Sequence, residues 1–259
     1  VLALTGTDLY RDIQTDAAAQ ASLAMACRII VLQELAPLGL EEAHRAKAEV
    51  IFQSTTSQPT LLKPAAHLRA VMVGHLRAEK SPETLFEAAR ILNSDFDKLS
   101  PNGEQIFIDH IGAGLDPLLA KAAEATQKNC PHYRWLDAVP HEATRRAIQR
   151  AHVLVHASKM EGGAHVLMEA ACSGTPVLAS RIDGNVGMLG TDYAGYFDWG
   201  DAAGLAQLLR ECRASQNDEN GLLARLSEQC TLRAPLFAPE AESAKLNALV
   251  NSLVIALLE

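Results

Sequence analysis

Short apolar runs alternate with longer amphipathic stretches along the whole chain. Nine runs read as strands: VLALT (1–5), RIIVLQ (28–33), EVIFQS (49–54), RAVMVG (69–74), QIFIDHIG (105–112), YRWLDAV (133–139), HVLVHAS (152–158), PVLAS (176–180) and GYFDW (195–199). Most are continuously apolar rather than strictly alternating, the pattern of parallel strands covered on both faces. The stretches between them carry a helical period. SPETLFEAARIL puts Leu85, Ala88, Ala89 and Leu92 on one face, with Ser81 as the expected N-cap and Pro82 in the first turn. DPLLAKAAEATQK and PHEATRRAIQRA follow the same plan. Repeated β-α-β order predicts an α/β fold whose ligands bind beyond the carboxyl ends of the strands.

STTSQPTLLKPAAH (54–67) is polar, holds Pro59 and Pro64 and has no clear periodicity, so a domain boundary is expected there. Six predicted strands follow it, enough for a complete Rossmann-like domain. Only three precede it, too few for a stable doubly wound sheet. The chain also opens at Val1 inside a strand pattern. An N-terminal portion is therefore expected to be missing. The expected division is 1–65 as the back part of an N-terminal domain, 66–240 as a Rossmann-like domain, and 241–259 as a helix returning to the first domain.

Composition narrows the classes. The chain of 259 residues is 48% apolar and 21% charged, ordinary values for a soluble globular protein. A formal charge of −8, spread along the sequence, argues against a general nucleic-acid binder but leaves room for a local basic pocket. No stretch reaches the roughly 18 uninterrupted apolar residues of a membrane span. Five widely spaced cysteines form no C-x-x-C pair, which argues against a disulfide framework or zinc site and for a reducing cytoplasm. The nine histidines show no metal-ligand spacing, so no protein-bound metal is expected. No internal repeat of fixed period is visible.

The chemistry concentrates in EGGAHVLMEAACSGTPV (161–177). A helix is expected to start on Gly162 and Gly163, where bare backbone lets a ligand approach unpaired N–H groups. Glu169 would then lie about six residues in, roughly 9 Å along the axis. That is the separation of a nucleotide's ribose from its distal phosphate, and Glu161 falls on the far side of the phosphate, where a sugar would be. The spacing suits a nucleotide-diphosphate sugar. Either glutamate taken alone could equally be a helix-start residue or a solvated one; the apolar neighbours Val166, Leu167, Ala170 and Ala171 favour a buried, partnered Glu169.

EGGAHVLMEAACSGTPVLAS resembles the E-x7-E signature of the family 4 glycosyltransferases, which have the GT-B fold. AVMVGHLRAEKSPETLFEAARIL, IDHIGAG and YRWLDAVPHEATRRAIQRAHVLVHAS resemble neighbouring segments of the same family, and GTDLYRDI with CRIIVLQELAPLGL resembles the back half of its N-terminal domain. The resemblance implies two Rossmann-like domains with a donor cleft between them. It assigns Glu169 to the ribose, Glu161 to the donor sugar, and Gly162, Gly163, Ala164 and His165 to backbone contacts with sugar and diphosphate. Lys80 matches the diphosphate-binding lysine. His75 stands where the family usually has arginine, with Arg77 available as a substitute; His75 could also be a core histidine at a strand end. Catalysis is expected to rest on Lys80, Arg77 and Glu161, with no protein nucleophile and no cofactor.

Thr5 replaces a histidine common in the acceptor domain. Thr5, Gly6, Thr7, Asp8 and Arg11 are expected to hold a small anionic acceptor, although Asp8 could simply N-cap a helix. LTGTDLYRDI, VGHLRAEKSPETL and IDGNVGMLG together resemble a narrower group, the selenosugar synthases of selenoneine biosynthesis, which implies transfer from UDP-GlcNAc or UDP-glucose to selenophosphate. IDGNVGMLG itself reads as a tight turn. The alternatives are a family member with another acceptor, or a noncatalytic nucleotide-sugar-binding protein.

Overall fold

The computed structural model describes residues 1–96 and 105–258. All nine predicted strands are present, and all but the fourth are shorter than their apolar runs. β1 (Leu2–Leu4), β2 (Ile29–Val31) and β3 (Ala48–Val50) form a parallel sheet in that order. β4 (His67–Val73), β5 (Gln105–Ile111), β6 (Tyr133–Trp135), β7 (Val153–His156), β8 (Val177–Ser180) and β9 (Tyr196–Phe197) form a second. Its order is β6-β5-β4-β7-β8-β9, parallel throughout. The chain works outward from β4 in one direction, then returns to place β7 on its other side. This is the doubly wound arrangement, with its switch point between β4 and β7. The loops leaving the carboxyl ends of those two strands carry Lys80 and Glu161.

Helices cover both faces of the larger sheet: α1 (Ala17–Met25) belongs to the first domain, and α2 (Pro82–Phe96), α3 (Pro117–Asn129), α4 (His141–Arg150), α5 (His165–Ala171), α6 (Asp183–Leu189), α7 (Ala202–Ala214), α8 (Leu222–Arg233) and α9 (Pro239–Leu258) follow. Leu85, Ala88, Ala89 and Leu92 of α2 are all buried, as the periodicity demands. Asp116 caps α3 by accepting from the amides of Leu118 and Leu119, and Asp16 caps α1 through Ala18. Ser81 departs from expectation. It adopts a left-handed backbone (φ 44°), and its hydroxyl accepts from Trp199 Nε1 at 2.9 Å. IDGNVGMLG is likewise not a turn but the buried helix α6.

Two apolar cores result. One fills the second sheet and its helices; the other gathers Leu4, Leu9, Ile13, Leu23, Ile29, Val31 and Leu40. The segment 51–66 between them has no regular structure, yet it is tied down. Thr55, Gln58 and Leu61 donate backbone bonds to Phe237, Cys172 and Gln149, and Arg145 binds Thr55 Oγ1 and the Thr56 carbonyl. Helix α9 contacts the end of β3 and the segment after it. Lys245 Nζ donates to the Val50 carbonyl at 3.0 Å, and Ser54 Oγ donates to Glu242 Oε2 at 2.5 Å. Glu259, the last residue of the expected tail, lies outside the described residues. Cys27 is exposed, whereas Cys130, Cys172, Cys212 and Cys230 are buried; all five are free thiols. Among the described residues no helix is long and apolar enough to cross a membrane.

His110 on β5 is fully buried between the Tyr133 hydroxyl (3.0 Å) and the Gly74 carbonyl (3.2 Å), and burial pushes its pKa down to about 4. The folded protein thus refuses a proton that the unfolded chain accepts near pH 6.5. Stability is fully present above that pH and is lost as pH falls toward 4. Urea unfolding at pH 5 is expected to show about 2 kcal/mol less stability from this residue than at pH 7.5. His152, also lowered to about 4, acts in the same direction. A flat profile between those pH values would contradict neutral burial.

Candidate active site

The tightest ionic contact on the carboxyl side of the second sheet joins Lys80 Nζ to Glu161 Oε1 at 2.6 Å, with both side chains largely buried. Lys80 ends the turn after β4, and Glu161 lies in the loop after β7. Burial raises the Glu161 carboxyl, but His156 and Lys80 outweigh it and hold the group well below the usual carboxylate range. His156, at the carboxyl end of β7, was not singled out from the sequence. Its Nε2 lies 3.4 Å from the same Glu161 oxygen.

This pair opens into a cavity of about 430 Å³ between the domains. Arg77, Lys80, Glu161, Gly162 and Gly163 line it from the second domain, and Thr5, Gly6, Thr7 and Arg11 from the first. Arg11 is exposed at the rim, and its Nε donates to Asp12 Oδ1 at 2.8 Å. Asp8 is not part of this wall, nor does it cap a helix. Its Oδ2 accepts from the Thr5 amide (2.8 Å) and the Thr5 hydroxyl (2.6 Å), so it fixes the strand end and occupies the Thr5 hydroxyl proton. His75 also stands apart from the cavity. Its Nδ1 accepts from the Ala113 amide at 3.0 Å, tying the end of β4 to the loop after β5. Arg77, not His75, faces the cleft beside Lys80.

The glycine pair also packs against the first domain. Helix α5 starts at His165, two residues later. A Cβ on Gly6 would lie 2.6 Å from the Gly162 amide nitrogen; one on Gly162 would run into Thr5 and Gly6; one on Gly163 would meet Leu32. On α6, Gly184 packs against the Glu161 carbonyl and Gly187 against the Gln33 amide, and the Glu34 amide donates to the Gly187 carbonyl. Arg233 reinforces this junction through Glu34 (3.1 Å) and the carbonyls of Gly187 and Met188. Glycine is required along this seam because backbone meets backbone.

Glu169 consequently lies four residues after the helix start, about 6 Å along the axis rather than 9 Å. It is buried. Its Oε1 faces His141 Nε2 at 2.8 Å, Arg145 Nη1 at 3.5 Å and His165 Nε2 at 3.7 Å. His141 opens α4, directly after Pro140, and is mostly exposed, so it can yield its place to a ligand. Ala164 is buried and its carbonyl accepts from the Leu167 amide; His165 is half exposed. Among the described residues no group of His, Cys, Asp and Glu is placed to hold a metal ion.

Residues 53–225 match the family model described as glycosyl transferases group 1. The chain belongs to that family. It superposes on a mutant of S. aureus TarM solved with Fondaparinux, alpha-GlcNAc-glycerol and UDP, at TM-score 0.75 and 15% identity over 96% of this chain and 50% of TarM. For Anabaena HepE, solved with UDP and glucose, the values are 0.71 and 13% over 95% of this chain and 70% of HepE. For sucrose-phosphate synthase from Thermosynechococcus elongatus they are 0.71 and 22%, over 97% and 66%. At these identities the likeness is one of fold: GT-B, with two Rossmann-like domains flanking a cleft. The chain spans about half the length of TarM. No curated protein matches it.

Proposed function

We propose that this group 1 glycosyl transferase moves a sugar from a UDP-sugar to a small acceptor, acting in the cytoplasm. The observation that carries the reading is the Lys80–Glu161 pair, set at the switch point of the sheet and facing the other domain across a cavity sized for a ligand. Two relatives of the same fold were solved with UDP, which supports the choice of nucleotide. Lys80 and Arg77 would take the diphosphate and stabilise the charge that grows on it as the glycosidic bond breaks. Glu161 would accept from hydroxyls of the donor sugar. Glu169 would accept from the ribose, displacing His141.

The acceptor would enter along Gly6, Thr7 and Arg11. The guanidinium at the rim favours an anion, and selenophosphate is the one implied by the motif resemblance; a sugar phosphate or another acceptor is compatible with the same wall. The test is to incubate the protein with UDP-glucose or UDP-GlcNAc, alone and with selenophosphate, thiophosphate, phosphate or a sugar phosphate, and to read UDP release and product mass. UDP release that requires an acceptor supports transfer. Tight UDP binding without turnover on any acceptor identifies a noncatalytic binder.

Glu169→Ala is expected to weaken UDP binding by about 1–3 kcal/mol in calorimetry, the range for hydrogen bonds to a charged group. An unchanged dissociation constant removes Glu169 from the site. Arg11→Ala is expected to raise the Michaelis constant for an anionic acceptor about 10-fold and to leave UDP affinity alone. Normal acceptor kinetics in that variant would place the acceptor elsewhere.

A further inference from the structure

Lys80 faces two competing demands. Its ammonium sits on Glu161 Oε1 at 2.6 Å, whereas the donor proposed above would draw it to a diphosphate. Glu161 is largely buried, and a buried carboxylate deprived of its partner is strongly disfavoured. Behind it stands His156, 1% exposed, whose Nε2 is aimed at the same oxygen from 3.4 Å and has no hydrogen-bond partner. The charged groups facing this imidazole are Glu161 from its own loop and Lys80 from the turn after β4; β8 sets Ala179 beside it in register. Burial and Lys80 disfavour the imidazolium and Glu161 favours it, with a net shift below the ordinary histidine range. The neutral ring is therefore favoured while Lys80 remains in place.

We infer that donor binding hands Glu161 from Lys80 to His156: the ammonium moves to the diphosphate, and the imidazole takes a proton from solvent and closes onto Oε1. The inference rests on the donor reading above. One positive charge leaves the carboxylate and one arrives, so Glu161 stays ionised and fixed while it meets the sugar. His156 is a positioning residue, acting through Glu161 without touching substrate. It also explains why the end of β7 carries an imidazole where its neighbours Val153, Leu154 and Val155 are apolar.

The Lys80→Ala variant tests the exchange without any ligand. Nitrogen-15 NMR of the imidazoles should show His156 titrating about one unit or more higher in this variant than in the wild type, with His156→Gln identifying the resonance. Calorimetry of UDP binding in buffers of different ionisation heat should then show the wild type taking up on the order of one proton near neutral pH, and His156→Gln taking up none. An unmoved His156 titration in Lys80→Ala, or equal proton uptake in His156→Gln, overturns the inference. Failure of the wild type to bind UDP would overturn the donor reading by itself, and the NMR titration alone would then decide whether Lys80 and His156 compete for Glu161.

Discussion

Lys80→Ala is expected to lower turnover at saturating donor by about 10²–10³-fold, the usual effect of removing one preorganised partner of a developing anion. The ammonium already stands at the wall of the cavity before any ligand arrives, within reach of a diphosphate bound there. Because the charge on that diphosphate is larger in the transition state than in bound donor, turnover should fall more than donor affinity. Lys80→Arg, which keeps the charge but not the point geometry, should fall between the two. A rise confined to the donor's Michaelis constant would show that Lys80 provides uniform binding instead.

Gly162→Val is expected to reduce turnover by a similar order, about 10²-fold, through the seam rather than through chemistry. The new side chain would collide with the backbone of Thr5 and Gly6, and there is no flexible side-chain end there to yield. The first domain must then stand off, carrying Arg11 and Thr7 away from Lys80 and Glu161. Small-angle scattering of this variant should report a larger radius. Normal turnover in this variant would show that the cleft need not close this far.

The two sheets were legible because fully covered parallel strands are continuous apolar runs, and every predicted strand is present. Helix α6 was not, because two glycines in IDGNVGML read as turn chemistry when they answer to packing against Glu161 and Gln33. The start of α5 was read two residues early, because a glycine pair before an apolar run does not show in sequence that it also packs against another backbone. Glu161, Lys80, Arg77 and Arg11 were visible through spacing and resemblance, and the structure brings them around one cavity. His141, Arg145 and His156 were not. His141 and Arg145 reach Glu169 from another helix, His141 over 28 residues, and His156 meets Glu161 only because the loop after β7 folds back on the strand end.

The distribution of thiols has a practical consequence. Burial raises the pKa of Cys130 and Cys172, and lifts Cys212 to about 12 and Cys230 to about 11, so these four carry almost no thiolate at neutral pH and are shut away from reagents. Cys27 is exposed, two residues before β2, on the smaller sheet. A maleimide dye should therefore attach at one place without any engineered cysteine or removal of a native one. That place lies on the first domain, so the unaltered chain can carry one reporter there while the wall with Lys80 and Glu161 stays unlabelled.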